Sequence, residues 1–133
     1  MIGTQPIQAA IYAALLSAHV VDGDRVVDGD QSEDVAFPYV QIGETQTLDA
    51  DVTGSLGAEE FLTLHIWSRQ RGQSEVKEIA ARIATAFNAA DMPIAGFESA
   101  SVFAQGLRVF DDPDGLTRHG VLTLHIHAFQ QET

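Results

Sequence analysis

The sequence predicts an α+β fold, a mostly antiparallel sheet of about four to five strands with two helices packed on one face. Two segments carry apolar residues at helical spacing, and several others alternate apolar and polar residues as strands do. Their order along the chain is helix, two strands, a loop, a strand, helix and two strands. That order favours antiparallel pairing with the helices on one side of the sheet.

The length of the chain predicts one domain. Its 133 residues fit a single domain over residues 1–133, because two halves would each be too small to hold a core. The absence of cysteine excludes a disulfide scaffold, a thiolate metal site and a cysteine nucleophile. The first basic residue is Arg25 and no stretch reaches the roughly 18 apolar residues of a membrane span. We therefore expect a cytoplasmic protein.

The charge of the chain is strongly negative. Nineteen acidic and 7 basic residues give a formal net charge of −12. Residues 22–60 hold eleven acidic residues and a single basic one, Arg25. Such a surface repels phosphate groups and anionic lipid. We expect neither sequence-specific nucleic-acid binding nor membrane binding.

The first helix is predicted over residues 4–17, TQPIQAAIYAALLS, with Thr4 as its cap and Pro6 tolerated in its first turn. Two strands are predicted next, at residues 25–27 and 37–44. The apolar stripe of the helix consists of Ile7, Ala10, Ile11, Ala14 and Leu15.

Residues 45–58 are predicted to form a polar loop that contains Asp49, Asp51, Gly54 and Gly57. The strand predicted after it alternates cleanly over residues 60–68. One face of that strand carries Leu62, Leu64 and Ile66, and the other carries Phe61, Thr63, His65 and Trp67.

The second helix is predicted to start near Ser74 and to stop before Pro93. Strands at residues 101–110 and 119–129 complete the sheet, and the turn signal of residues 112–115 joins them. The buried stripe of the helix is predicted to be Val76, Ile79, Ala80, Ile83 and Phe87.

A five-residue sequence occurs twice in the chain. Residues 62–66, LTLHI, recur as residues 122–126. The repeat has two interpretations: a duplicated unit, or two central strands that meet the same packing requirement.

Three histidines are predicted to project from the sheet face opposite the Leu/Ile stripe, namely His65, His125 and His127. Neutral imidazoles are good ligands for zinc or copper, and the spacing of the last two places both on one side of a strand. With the strand limits given above, no carboxylate shares that face, so we expect no metal and no cofactor. A small metal- or ligand-binding module that uses these histidines remains the alternative of a different class.

The aromatic residues Phe61 and Trp67 share this face with His65. If the helices cover the Leu/Ile face, these three side chains form a candidate assembly interface, because exposed aromatic residues on an open sheet mark contact surfaces. If the helices cover the other face instead, Trp67 is part of the core.

No catalytic motif is present in the sequence. It has no Gly-x-Ser-x-Gly elbow, no phosphate-binding glycine-rich loop and no HExxH helix. Adjacent acids such as Glu59 and Glu60 point to opposite faces of a strand and share no proton. We expect no catalytic residues and no enzymatic activity.

Four sequence fragments, in order and at their spacing, resemble the phage tail-completion family, which includes tail terminators of long-tailed phages, prophages and gene transfer agents. The resemblance extends over roughly residues 4–129. The fragments are residues 25–28 (RVVD), 37–43 (FPYVQIG), 66–68 (IWS) with Gly72 ahead of a helix, and 114–120 (DGLTRHG).

The resemblance implies a structural protein that forms a ring, typically a hexamer, on the end of the tail tube. The implied partners are further copies of the chain, the tail tube protein and the capsid neck or head-completion protein. The implied location is the host cytoplasm during assembly and then the head–tail junction. The family supplies no catalytic residues, and the loop of residues 45–58 becomes a candidate tube- or lumen-facing segment. Another neck or minor tail component is the alternative of the same class.

Overall fold

The computed structural model describes residues 3–29 and 35–131. Its two helices are α1, Gln5–Ser17, and α2, Ser74–Ala86. Neither helix in the described ranges is long and apolar enough to cross a membrane. The strands are β1 (Val26–Asp28), β2 (Tyr39–Asp49), β3 (Ser55–Ser68), β4 (Asn88–Asp91), β5 (Ser99–Asp111) and β6 (Arg118–Gln131).

The strands form one sheet in the order β1-β2-β3-β6-β5-β4. Within the described residues, β1 and β2 pair in parallel and the other neighbouring strands are antiparallel. This confirms the predicted α+β fold. The strand missing from the prediction is β4, four residues at the edge of the sheet. It is too short to show an alternating pattern in the sequence.

The repeated LTLHI sequences lie on the two central strands, β3 and β6, which pair along their whole length. Thr63 is directly opposite Thr123, so the two copies are antiparallel partners centred on this pair. This placement shows that the repeats do lie on two central strands, as the interpretation of a shared packing requirement expects.

The core lies between the helices and one face of the sheet. Val76 and Ile79 of α2, like Ile11 of α1, are buried in the same cluster as the Leu/Ile stripe of β3. The helices therefore cover the Leu/Ile face, which decides between the two alternatives that the sequence left open. The most deeply buried large side chains of the cluster are Ile7, Ile11, Leu15, Ile42, Leu62, Leu64, Ile66, Ile79, Ile83, Leu124 and Ile126.

The prediction of a loop over residues 45–58 was wrong. Strand β2 continues to Asp49 and β3 already begins at Ser55, so the segment is a hairpin with a tip at residues 50–54. Side chains in this part of β2 are mostly exposed on both faces. A strand without a buried face needs no apolar alternation, and for that reason its sequence looks like a loop.

Thr4 does not cap α1 with its side chain. Its hydroxyl instead forms a hydrogen bond with the Glu60 carboxylate, which also accepts one from the Thr47 hydroxyl at 2.9 Å. Glu60 is 1% exposed. The first turn of α1 is thus fixed to the sheet by a side-chain contact across the layers.

Candidate functional site

The sheet face opposite the helices, here called the open face, carries most of the aromatic and histidine side chains. Trp67 is directly opposite Tyr39 on one side and His119 on the other. Because the helices cover the Leu/Ile face, Trp67 belongs to the open face and not to the core. The aromatic and histidine residues of the open face are Tyr39, Phe61, His65, Trp67, Phe103, Phe110, His119, His125, His127 and Phe129.

Trp67 lies in a stack of rings at one end of this face. Its indole is nearly parallel to the His119 imidazole, with 3.8 Å between ring centroids, and it also stacks on Tyr39 at 6.3 Å. The indole N–H donates a hydrogen bond to Gln41 Oε1 at 3.0 Å, and Phe110 packs edge-on against His119. Trp67 is therefore held in one orientation. We call Tyr39, His65, Trp67, Phe110 and His119 the Trp67 cluster.

His65 has a partner at each ring nitrogen. Nε2 is 2.8 Å from Glu44 Oε1, and Nδ1 is 2.7 Å from Nε2 of His119. The imidazole lies over Gly43, where a Cβ would be 2.6 Å from its ring atoms, so this position requires glycine. Burial lowers the pKa of His119, and the nearby His65 lowers it further. Both imidazoles are fixed in a chain that runs from Glu44 through His65 to His119.

Glu59, His125 and His127 form a second group on the open face, here called the Glu59 cluster. Glu59 Oε2 accepts hydrogen bonds from Nε2–H of His125 at 2.9 Å and of His127 at 2.8 Å. These two bonds hold the pKa of Glu59 below its usual value. His125 stacks on Phe61 at 4.6 Å, and Phe103 packs edge-on against it at 5.1 Å.

The expectation that no carboxylate shares the histidine face was wrong. Glu59 shares it because β3 begins at Ser55, five residues earlier than the predicted start, and the alternation that includes Phe61 extends back to Glu59. Glu44 reaches the face at a β-bulge between Ile42 and Thr45. A bulge shifts side-chain direction in a way that simple alternation does not predict.

The three predicted histidines do not converge on one site. His65 lies opposite Val121 and bonds within the Trp67 cluster, whereas His125 lies opposite Phe61 and bonds to Glu59 with His127. The predicted interface residues separate in the same way, since Phe61 contacts His125 while His65 and Trp67 lie together near His119. The open face thus holds two clusters with different chemistry.

The hairpin between β2 and β3 carries the residues that were predicted to face a tube or a lumen. Asp49 and Asp51 are exposed, and the Asp51 carboxylate accepts a hydrogen bond from the Gly57 N–H at 2.8 Å. Gly54 forms the tip with a φ of +82°. Gly57 lies within β3, where a Cβ would be 2.7 Å from the Phe129 ring. The two predicted aspartates and Gly54 therefore lie at one end of the sheet.

The hairpin between β5 and β6 lies at the opposite end of the sheet. Asp114 accepts hydrogen bonds from the Thr117 hydroxyl at 2.7 Å and from the N–H groups of Leu116 and Thr117 at 2.8 Å. These bonds lower the pKa of Asp114 to about 2. Leu116 is 64% exposed at the end of this rigid turn. The sequence analysis predicted the turn but did not single out the exposed Leu116.

A model of the family described as tail completion protein gp17 matches residues 9–127 of this chain. The chain belongs to this tail completion family. The match includes the Trp67 cluster, the Glu59 cluster and both hairpins. The predicted resemblance to tail-completion proteins is confirmed.

A curated family member, the tail completion protein gp17 of Bacillus phage SPP1, is 26% identical over 90 residues. The aligned part is 68% of this chain and 66% of that protein, slightly under two thirds of its length.

Two solved structures share the fold. A chain in the virion of a native gene transfer agent (GTA) particle superposes with a TM-score of 0.79 at 20% identity, over 92% of this chain and 94% of that chain. The structure of bacteriophage SPP1 gp17 gives a TM-score of 0.52 at 21% identity, over 98% of this chain and 91% of that one. The helix-backed sheet of this chain is thus found in a phage protein and in a gene transfer agent particle.

Proposed function

We propose that the chain is a tail terminator subunit that assembles into a ring, a hexamer, on the end of a tail tube and joins it to the capsid neck. The observation that carries the proposal is the tail completion family match over residues 9–127. The chain of similar fold in a gene transfer agent virion, which covers 92% of this one, supports a place within an assembled particle.

Exposed apolar side chains at both ends of the sheet support ring formation. The β2–β3 hairpin exposes 41% of Leu48 and 59% of Val52. The β5–β6 hairpin and its strands expose 64% of Leu116 and 38% of Phe110. A closed ring requires two different surfaces on each subunit, which meet in a head-to-tail contact. Two separate apolar ends supply such a pair.

The open face supplies a third contact surface, for which we propose Phe61, His65 and Trp67 as the central residues. Stacking fixes the rings of Phe61 and Trp67 before any partner binds. Rigid aromatic side chains lose little conformational entropy on binding, and they dominate the binding energy of many interfaces. A mixed aromatic and histidine surface also avoids burying unpaired acids between subunits.

The acidic residues fit a ring through which DNA passes. Asp22, Asp24, Asp28, Asp49 and Asp51 are all exposed. Burying such groups unpaired at a subunit contact would cost several kcal/mol each. We propose that they face the lumen or the outer rim, where negative charge prevents the wall from binding phosphate. Asp30, Glu33 and Asp34 of the same acidic segment lie outside the described residues.

The proposed role is structural and non-enzymatic. The buried apolar residues of the described ranges form one cluster, which supports a single tail-terminator-like domain over residues 1–133. We propose that the protein assembles in the host cytoplasm and then remains at the head–tail junction.

The proposal is tested by adding gold-labelled protein to tail tubes purified from a strain that lacks this gene, followed by negative-stain electron microscopy. The expected result is label at one end of each tube. Label along the tube walls, or no label, would overturn the capping role. Label on isolated capsid necks but not on tubes would assign the chain to another neck component.

A further inference from the structure

The Glu59 cluster brings a carboxylate and two imidazoles to one point on the open face. One ligand atom from each of Glu59, His125 and His127 lies within 4.8 Å of the others. We propose that these three residues form a binding site for a divalent transition-metal ion, and that zinc is the ion they fit best. This inference does not depend on the proposed ring.

The donor set selects the class of ion. Two imidazole nitrogens and one carboxylate oxygen are a known zinc set, in which the remaining position is left to water or to another ligand. Calcium and magnesium prefer sites built from oxygen atoms alone. Imidazole favours zinc, copper, nickel and iron over these harder ions. The cluster should therefore discriminate strongly against calcium and magnesium.

The backbone places the three ligands without rearrangement. His125 and His127 are two residues apart on β6 and so share a face. Glu59 is the direct cross-strand partner of His127. Both Nε2 atoms already point at a single carboxylate oxygen, at 2.9 and 2.8 Å. To bind zinc, each neutral imidazole must present the lone pair of its Nε2, so its proton moves from Nε2 to Nδ1. The three ligand atoms would then need to lie about 3.3 Å apart, given bond lengths of about 2.0–2.1 Å. The required adjustment is a small side-chain rotation.

The surroundings orient the imidazoles and leave access for an ion. Phe61 and Phe103 fix the plane of His125, whose side chain is 14% exposed. Glu59 and His127 are 29% and 41% exposed, so an ion can reach the site from solvent. A depression of about 200 Å³ beside His127, lined in part by Asp91, offers room for a water ligand.

The Trp67 cluster has the same residue types in a different arrangement and supplies a matched control. Glu44 and His119 lie on opposite nitrogens of the His65 ring. The ring therefore separates the other two ligand groups, and the three cannot surround one ion without a large movement. A substitution of His65 should leave zinc binding intact.

The test is calorimetric titration of zinc into full-length protein without a His-tag, after removal of metal with a chelator. The expected result is saturable binding of one zinc per chain, with no binding of calcium or magnesium under the same conditions. Glu59→Gln and His127→Gln should each weaken the affinity by about tenfold or more. His65→Gln should change it by less than about twofold. Circular dichroism spectra establish that each variant is folded.

Two results would overturn the site. One is the absence of saturable zinc binding to the wild-type chain at concentrations up to about 1 mM. The other is binding that survives both Glu59→Gln and His127→Gln, or that is lost in His65→Gln, because the ion would then be held elsewhere. Cobalt absorption spectra of the same variants give an independent readout, since a nitrogen- and oxygen-ligated tetrahedral site produces visible bands that solvated cobalt lacks.

Discussion

Glu60 carries a carboxyl group into the core beneath the first turn of α1, where 1% of its surface is exposed. Desolvation raises the pKa of this carboxyl above its ordinary 4.5, although the hydroxyls of Thr47 and Thr4 lower it in part. The folded state therefore binds the proton more tightly than the unfolded chain does. The stabilising contribution is present in full below pH 4.5 and is lost as the pH rises through the folded-state pKa.

Replacing Glu60 by Gln should raise the free energy of unfolding at pH 7, because the amide resembles the protonated acid and carries no charge to desolvate. Each unit by which the folded-state pKa is raised corresponds to about 1.4 kcal/mol at neutral pH. The gain should disappear below pH 4.5. Urea unfolding at pH 7 and pH 4 measures both quantities, and exposed Glu98→Gln is the charge-matched control. A variant that is less stable than wild type at pH 7 would show that Glu60 is needed in its ionised form.

A substitution of Trp67 tests whether the open face is an interface. Its ring stacks on His119 and Tyr39 within the chain, so Trp67→Ala should lower the free energy of unfolding by about 2 kcal/mol. The variant should remain folded and yet enter particles poorly. Tyr12→Ala on α1 is the control, since it removes an exposed aromatic from the helix side. Incorporation of Trp67→Ala at the wild-type level, measured by immunoblotting of purified particles, would remove Trp67 from the interface.

At the scale of the elements, α2 packs closely against β6 at Gly120. A Cβ there would lie 2.5 Å from Cγ1 of Val76. Gly120→Ala should therefore lower the free energy of unfolding by about 1–3 kcal/mol, the usual cost of overpacking. Gly106→Ala is the matched control, because a Cβ at Gly106 meets nothing within 4 Å. Thermal unfolding measures the stability of both variants. If Gly120→Ala is as stable as Gly106→Ala, the close contact between α2 and β6 is contradicted.

The elements that the sequence predicts correctly are those with one buried face. Alternation along β3 and the helical stripe of α2 both follow directly from burial against the same core. The β2–β3 hairpin was mistaken for a loop because its β2 arm is exposed on both sides and shows no such pattern. Local sequence patterns therefore predict helices and strands that bury one face well, and they predict strands that are exposed on both faces poorly.

The sequence analysis did not predict the side-chain contacts between the helices and the sheet, or those between neighbouring strands of the open face. The Thr4–Glu60 contact joins residues far apart in the chain, and nothing near either residue indicates it. The Glu59 cluster was missed for a simpler reason. The predicted strand began one residue too late to include Glu59, although the alternation of Phe61, His65 and Trp67 extends back to it.

At the scale of the whole molecule, charge opposes assembly. Six copies that each carry a net charge of −12 repel one another, and salt screens this repulsion with a Debye length of about 8 Å at physiological ionic strength and about 3 Å at 1 M. We predict a largely monomeric protein in dilute low-salt buffer and a growing fraction of rings as salt and concentration rise. Sedimentation velocity across a salt series measures that fraction. A tight hexamer in low salt that dissociates as salt is added would show that attraction between charges holds the ring.

The most direct test of the proposed tail terminator role is electron microscopy of particles produced without this protein. A subunit that both ends the tube and joins it to the capsid should, when it is lost, leave heads filled with DNA beside tails that are unattached or uncontrolled in length. Supplying the gene in trans should restore joined particles with tails of uniform length. Normal tailed particles from the deletion strain would contradict the account.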